Sequence, residues 1–482
     1  YSFGPAESRM DFPRRVFDGE GVRADVDFGP TLMLNRNRCI LCTRCVRFMR
    51  EIDGDAQISI ADRGQGSEIA TFREEGVHSL LSGNLMDVCP VGAITTREYR
   101  FKSRPWDNPG VVDTMCTMCS KGCNTSAWQK AKPEWAKGSR LIRMTPRLNP
   151  EINGYWMCDI GRFDYHWVEG NTRLRRPMVR SGATLEPVAW HDVGPKLRDA
   201  IQTAGSSDPS SVRFLVSAHA STEEVFVLRE VVTGLLGKDG MNAVTMTWKN
   251  SEKTQPAGTK FIVPTTDAPN VNGARDVGFA VGQGNGHAAD TSALRTAIAA
   301  GRVKAVYVVD PGPAGSVGDV SWLIAARREG SLPLLVVQGV VMSELAAAAD
   351  IVLPGSAWVE KDAIYTNEQG KVQGASRAIA PPGEAMEDWQ ILANFGRLLG
   401  LALSYQSSSD VRKAIAGALA GAYADADKVP FTRPIPARNW LQASNPSERW
   451  KWDFLYQDLP PVKGHNVQME GTAPFIPLKP VG

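Results

Sequence analysis

The chain has 482 residues, 43% of them hydrophobic, and a formal net charge of +2, enough apolar material for about three ordinary soluble domains. Its most apolar run, residues 332–342, is interrupted by Gln338 and closed by Ser343-Glu344, short of the roughly 18 residues that a membrane-spanning helix needs. Residues 1–180 hold 27 Lys/Arg against 22 Asp/Glu and the remainder 27 against 30, a surplus too small for a nucleic-acid arm, and no Lys/Arg-rich run is interleaved with aromatics.

Residues 1–35, with Pro5, Pro13 and Pro30, lack periodicity and read as an extended lead-in. They show no basic stretch followed by an apolar one, the pattern of a signal peptide. The first motif is Cys39-Ile-Leu-Cys42-Thr-Arg-Cys45, completed far downstream by Cys89-Pro90. Three thiols at this spacing with a distant Cys-Pro wrap the corners of a [4Fe-4S] cube. A tetrahedral zinc ion takes two ligands from each of two knuckles and has no use for a third thiol in one loop, so zinc or unrelated core cysteines are the weaker alternatives. Arg36, Arg38, Arg44, Arg47 and Arg50 surround the triplet and would offset the negative charge of thiolates and sulfides; a solvated helix face is the plainer reading. Residues 46–52 predict a helix that stiffens the loop, and Pro90 favours an extended approach at Cys89. Between these ligands, Gln57-Ile-Ser-Ile-Ala61 alternates like a short strand.

The second motif is Cys116-Thr-Met-Cys119-Ser-Lys-Gly-Cys123, followed after 34 residues by Cys158. Four more ligands use all eight cysteines without remainder, and Gly122 allows backbone to approach an inorganic sulfide. A zinc knuckle remains open here, because Cys-x2-Cys is a usual zinc pattern. All eight cysteines lie between positions 39 and 158, in ligand-like loops of a long chain, which points to a reducing cytoplasm over a secreted disulfide framework.

Beyond about residue 180 the pattern changes to apolar strands alternating with helices. Residues 212–217 predict a buried strand and residues 222–236 a helix, with Thr222 as its N-cap and Glu223 and Glu224 at its positive end. Residues 304–309 and 334–337 repeat the strand signal around a helix at 322–328, a βαβ pattern with a parallel sheet. Gly282-Gln-Gly284-Asn-Gly286 lacks the dinucleotide-binding register and reads as a turn. Residues 404–482 read as a helix and an irregular tail in which Trp440, Trp450 and Trp452 pack onto the main domain or a partner.

The run from Asn37 to Arg50, with Ser82-Gly-Asn-Leu-Met-Asp-Val-Cys-Pro-Val-Gly-Ala93, resembles the large iron-sulfur subunit (the G-type subunit) of respiratory complex I, NADH-quinone oxidoreductase. Arg104-Pro-Trp106 and Pro146-Arg-Leu-Asn149 resemble the entry into that family's molybdopterin-oxidoreductase-like half, and Ala349-Asp-Ile-Val-Leu-Pro354, Glu360-Lys361 and Tyr365-Thr-Asn-Glu-Gln-Gly370 resemble a segment that passes near the pterin in molybdopterin oxidoreductases. The second cysteine motif is similar to the extra cluster of some bacterial members of this family and to the cluster domain of formate dehydrogenases and nitrate reductases. The resemblance implies an α/β and α+β multidomain chain: a ferredoxin-like [4Fe-4S] segment at 1–105, a second cluster domain at 106–180, a molybdopterin-oxidoreductase-like α/β domain at 181–403 and a C-terminal helix and tail at 404–482. It also implies relay of electrons from NADH and a flavin on another subunit toward quinone, through two [4Fe-4S] clusters, with no catalytic site on this chain. The implied partners are the flavin-bearing subunit and ferredoxin-like cluster subunits, at the cytoplasmic face of a bacterial inner membrane, with membrane contact only through the assembly.

Two departures stand out. The family ordinarily begins with a [2Fe-2S] portion and a cluster held by one His and three Cys, yet no cysteine precedes Cys39 and no histidine precedes His78. Tyr1 to Met10 resembles the segment that follows those sites. Metal-pterin enzymes ligate metal through Cys, selenocysteine, Ser or Asp, and no cysteine follows Cys158, so no molybdopterin is expected. The rival readings are a molybdenum or tungsten oxidoreductase such as formate dehydrogenase, and a subunit of an NAD-linked hydrogenase.

Overall fold

The expected lead-in already contains sheet. In a computed structural model describing residues 25–103, 107–108, 110–130, 138–281, 290–419 and 421–428, β1 (Val26–Asp27) pairs antiparallel with β2 (Leu32–Leu34). The glycine run at 282–286, residues 104–106, Tyr1 to Met10 and the three C-terminal tryptophans lie outside the described residues. Gly29 sits between the two strands at φ +123°, where a Cβ would stand 2.5 Å from the Val77 carbonyl oxygen, so this crossing requires glycine. After the first cysteine loop come α1 (Arg44–Phe48), continued by a π-turn at Met49–Asp53, then the hairpin β3 (Ile58–Ala61) and β4 (Glu68–Thr71). α2 (Asn84–Val88) leads to β5 (Ile94–Thr96), which closes antiparallel on β2. Phe28, Leu32, Leu34, Phe48, Met49 and Leu85 form the apolar centre of this part, and the buried thiols share it.

A three-stranded meander follows, β6 (Gly110–Met115), β7 (Asn124–Gln129) and β8 (Leu141–Pro146), and then α3 (Asp159–Phe163). The remaining chain builds a seven-stranded mixed sheet. Its elements are β9 (Met178–Ser181), β10 (Thr184–Pro187), α4 (Trp190–Gly205), β11 (Val212–Ser217), α5 (Thr222–Leu236), β12 (Val244–Thr247), α6 (Val271–Val277), α7 (Ser292–Ala299), β13 (Ala305–Asp310), α8 (Ser321–Arg328), β14 (Leu334–Gly339), α9 (Glu344–Ala348) and β15 (Ile351–Pro354). The strand order is β10-β9-β15-β14-β13-β11-β12; the five strands from β15 to β12 are parallel, as the βαβ pattern predicts, and β9 and β10 add antiparallel pairs at one edge. The hairpin β16 (Ala363–Thr366) and β17 (Val372–Ala375), α10 (Asp388–Leu398) and α11 (Ser408–Ala418) complete the described fold.

Alternation decides which face each strand residue serves. Phe214, Val216, Tyr307 and Val309 face α4, α5, α10 and α11. Leu215, Val306 and Val308 face α7, α8 and α9. One expected cap is corrected: Ser221, not Thr222, caps α5. Its hydroxyl accepts from the Glu224 amide at 3.3 Å while the Glu224 carboxylate accepts from the Ser221 amide at 2.9 Å. This is a capping box, in which two orphan amides are satisfied reciprocally. The glutamates are more than dipole partners. Lys361 donates to Glu224 and to Asp388, the latter at 3.3 Å, and Arg412 donates to Glu223 at 3.2 Å, so a buried ionic cluster ties α5 to the segment before β16, to α10 and to α11.

Strand order reverses between β11 and β13, the switch point where open α/β sheets form crevices. Asp310 ends β13 there, fully buried, and burial raises its carboxyl to about 7 although Ser316 and the Gly312 amide oppose the shift. A raised carboxyl pKa favours the folded state least at high pH, because the unfolded chain then releases the proton more easily. Asp310→Asn is expected to match the parent chain in stability near pH 4, to gain on it by up to about 1.4 kcal/mol per pH unit toward pH 7, and then to level off. Thermal unfolding across pH 4–8 measures this; a constant difference over the range would mean that Asp310 is ionised throughout.

Candidate metal centres

Cys39, Cys42, Cys45 and Cys89 line one small enclosed pocket with Leu34, Ile69, Ala93 and Ile94. The loop reaches this shape through two left-handed residues, Leu41 at φ 54° and Thr43 at φ 62°. A bulky side chain in that region is strained and persists only where its surroundings over-determine it. The twist turns amide groups inward: the Leu41 amide lies 3.4 Å from Cys39 Sγ, and the Val46 amide bonds the Cys45 thiol. Helix α1 starts at once and carries Cys45 into the core, while Cys89, released from α2 with φ −78° and ψ 110°, enters extended as Pro90 requires. Burial pushes the Cys45 thiol up to about 11, and Cys39, Cys89 and Cys42 add to the rise. Cys42 is exposed, as are its neighbours Ile40 and Val91.

Of the five arginines expected around this site, Arg44 lines the cysteine pocket. Arg36 is drawn to Glu68 and Arg50 to Glu51, each at 3.3 Å. Arg38 is exposed, and Arg47 lines a neighbouring groove.

Cys116, Cys119, Cys123 and Cys158 are all buried. Cys116 follows β6 and Cys123 precedes β7, joined by a bond of 2.8 Å from the Cys116 amide to the Cys123 carbonyl; Cys158 is the N-cap residue of α3. Amides of Met118, Lys121 and Gly161 bond the thiols of Cys116, Cys119 and Cys158. Burial raises all four thiols, Cys158 to about 12, and mutual repulsion adds to the rise at Cys116, Cys123 and Cys158. Lys253 and Lys121 counter it at Cys119. Gly122 lies at φ +65°, and a Cβ there would stand 2.6 Å from Gln373 Oε1, so β17 also presses on the loop from outside.

Each set thus offers four soft sulfur donors, with backbone amides aimed at several of them. Such amides stabilise thiolates, and this donor chemistry fits an iron-sulfur cluster. Among the described residues no group of three or more His, Cys, Asp or Glu stands in the arrangement of a metal-ion site. The left-handed residues carry no sequence signal of their own; only the crowding of three ligands into one loop hints at them.

A cavity of about 380 Å³ lies at the switch point, lined by Met118, His219, Lys253, Asp267 and Ser316 among others. Several of its polar groups answer one another. His219 Nε2 lies 2.7 Å from the Asp267 carbonyl oxygen, Lys253 donates to the Pro264 carbonyl at 2.5 Å and to Asp267, and Ser251 also donates to Asp267. Burial depresses His219 to about 4, leaving it neutral. No cysteine lines this cavity, whereas Asp164, Ser251, Asp267 and Ser316 do.

Residues 29–95 match the family model for the ferredoxin-like domain of NADH-quinone oxidoreductase subunit 3, and residues 251–397 match that for molybdopterin oxidoreductases. The 78 kDa subunit of the mitochondrial NADH-ubiquinone oxidoreductase of Neurospora crassa is 26% identical over 501 residues, covering 83% of this chain and 66% of that one. The second G-type subunit of the NADH-quinone oxidoreductase of Rhizobium meliloti is 31% identical over 235 residues (49% of this chain, 26% of that one), and subunit 3 of the Thermus thermophilus enzyme is 32% identical over 239 residues (49% and 28%). Among solved structures, acetylene hydratase from Pelobacter acetylenicus aligns with a TM-score of 0.40 at 10% identity over 63% of this chain and 71% of that one. The chain spans less than two thirds of the length of these curated relatives. Over the matched residues the chain is similar to the G-type and 78 kDa subunits of NADH-quinone oxidoreductases, a ferredoxin-like match at 29–95 preceding a molybdopterin-oxidoreductase match at 251–397.

Proposed function

We propose that this chain is an iron-sulfur electron-transfer subunit of an NADH-quinone oxidoreductase, holding one [4Fe-4S] cluster on Cys39, Cys42, Cys45 and Cys89 and a second on Cys116, Cys119, Cys123 and Cys158. The observation that carries the reading is the gathering of all eight thiols into two sets with amides aimed at them. Bound clusters would supply one-electron storage and transfer. The chain's own residues exclude water, hold thiolate charge through amides and fix the sulfur positions. The proposed partners are a flavin-bearing NADH-oxidising subunit and ferredoxin-like cluster subunits, at the cytoplasmic face of a bacterial inner membrane. Among the described residues no helix is long and apolar enough to cross a membrane. The proposed domains are the four segments 1–105, 106–180, 181–403 and 404–482.

Anaerobically prepared protein is expected to carry about eight irons and eight acid-labile sulfides, four of each per cube, with no stoichiometric molybdenum or tungsten. Electron paramagnetic resonance should show two species, one lost in Cys42→Ser and the other in Cys119→Ser. Bound zinc without labile sulfide would remove the cluster reading, and molybdenum with formate-dependent dye reduction would favour the metal-pterin enzyme instead.

Gly161 provides a test that leaves every cysteine in place. A Cβ there would stand 2.7 Å from Cys116 Sγ, inside any normal contact. Gly161→Ala should lower iron to about half, by displacing one thiolate of the second cube, while the resonance of the first persists. Retention of both signals would place Cys116 outside the ligand set.

The two centres should also differ in role. Cys42 is exposed, whereas the second set is buried throughout and ties β6, β7 and α3 together. Metal binding that closes such loops becomes folding free energy. Cys119→Ala is expected to lower assembly yield while leaving NADH-to-quinone turnover per assembled flavin largely intact; Cys42→Ala should abolish turnover. Equal loss in both would make the second centre a relay station.

A further inference from the structure

An open groove of about 600 Å³ runs beside the first centre, between α1, the β7–β8 pair and the Tyr155-Trp156 corner. Arg44 lines both this groove and the cysteine pocket, so the two adjoin. The floor is aromatic. Trp156 packs edge-on against Phe48 with centroids 4.9 Å apart, and Trp128 lies under the Arg143 guanidinium, which also covers Tyr99 at 4.9 Å. Tyr155 stands 62% exposed at the rim.

The charges are not balanced. Glu51 and Asp87, the two carboxylates in the lining, are already engaged by Arg50 and Arg162 at 3.3 and 2.5 Å. Arg44, Arg47 and Arg143 also line the groove. Arg44 and Arg47 are exposed, and Arg143 Nε is buried without a hydrogen-bond partner. Trp, Tyr and Arg around a partly desolvated depression are the residues that dominate protein-protein hot spots. Arg143 is already drawn to Asp87 and Tyr99, but the exposed Arg44 and Arg47 beside such a floor select a carboxylate-bearing partner.

We propose that this groove docks an acidic, aromatic-bearing segment of a partner protein, its carboxylates taken by Arg44 and Arg47 beside the Arg143 guanidinium and its aromatic ring laid on Trp128 and Trp156. That the partner is a redox protein rests on the proposed electron relay; the docking does not. Seated there, the partner stands against Arg44 and so beside the most exposed thiol, Cys42.

The test is calorimetric titration of the cluster-loaded full chain with a short peptide of alternating Glu and Phe, and with its Gln-Phe counterpart. The acidic peptide should bind roughly tenfold or more tightly than the neutral one, with affinity falling as salt rises. Arg44→Glu with Arg47→Glu should weaken binding by about tenfold or more, while Arg63→Glu with Arg73→Glu, elsewhere on the same segment, should leave it unchanged. Arg47→Glu with Arg143→Met serves as the second variant should Arg44→Glu disturb the cysteine pocket. Equal binding of the neutral peptide, equal weakening by the Arg63/Arg73 pair, displacement of the peptide by ADP, self-association that the Arg44/Arg47 pair abolishes, or no binding each overturns the proposal. Iron and labile sulfide measured on every sample separate that outcome from a failure of the cluster reading.

Discussion

Desolvation of the thiols is the constraint on which the cysteine-bearing half of this molecule depends. A buried sulfur holds its proton more tightly than one in water, and here Cys45 rises to about 11 and Cys158 to about 12. Amides from Val46, Met118, Lys121 and Gly161 pull the other way without overcoming burial. A multivalent cation that replaced the protons of the buried thiols would make loop geometry and metal loading one equilibrium. The left-handed Leu41 and Thr43 belong to the same account. Their strain is tolerated because it turns amides toward sulfur, and the tight junction with α1 keeps the loop from relaxing.

The α/β half meets the opposite condition. Its buried charges have partners in the same chain: Lys361 with Glu224 and Asp388, Arg173 with Glu360 at 2.5 Å, Arg412 with Glu223. Such pairs stabilise little in net terms, because desolvation nearly cancels the attraction, but removing one partner leaves a bare buried charge and is costly. The cluster therefore fixes how α5, α10 and β16 meet more than how firmly they hold. At the switch point several polar groups answer one another in the same way. The sheet also supports the second cysteine loop, pressed from outside by Gln373 and by Asn367, which donates to the Lys121 carbonyl at 3.2 Å.

The parts legible in the sequence are those where local pattern and final environment agree. β11 and β13 read as strands because every residue or every second one is apolar, and both are buried on two faces. Cys89 reads as extended because Pro90 excludes helix locally. The illegible parts depend on partners far along the chain. β2 carries only three residues and is a strand because β5 lies beside it, and β9 and β10 join the sheet through β15. The cap of α5 lies one residue before its expected place because Ser221 and Thr222 are chemically alike; the Glu three residues after Ser221 is the distinguishing signal. For Gly122 the loop is right and the reason incomplete, since the contact that excludes a side chain comes from β17, some 250 residues later.

These two conditions give the molecule its direction. The second cysteine set is enclosed between the meander, α3 and the self-paired sheet, where burial is complete and the nearby lysines Lys121 and Lys253 partly offset sulfur charge. The first lies at the edge, with Cys42, Ile40 and Val91 exposed and Arg44 leading into an aromatic groove whose carboxylates are already paired. Electron exchange between proteins requires close approach, which an exposed rim permits and an enclosed centre does not. An apolar rim framed by exposed arginines also lowers the cost of covering it, because little ordered polar surface is lost and charge is gained on contact. The same chain thus keeps one set of thiols wholly buried and leaves a thiol of the other, Cys42, at its surface.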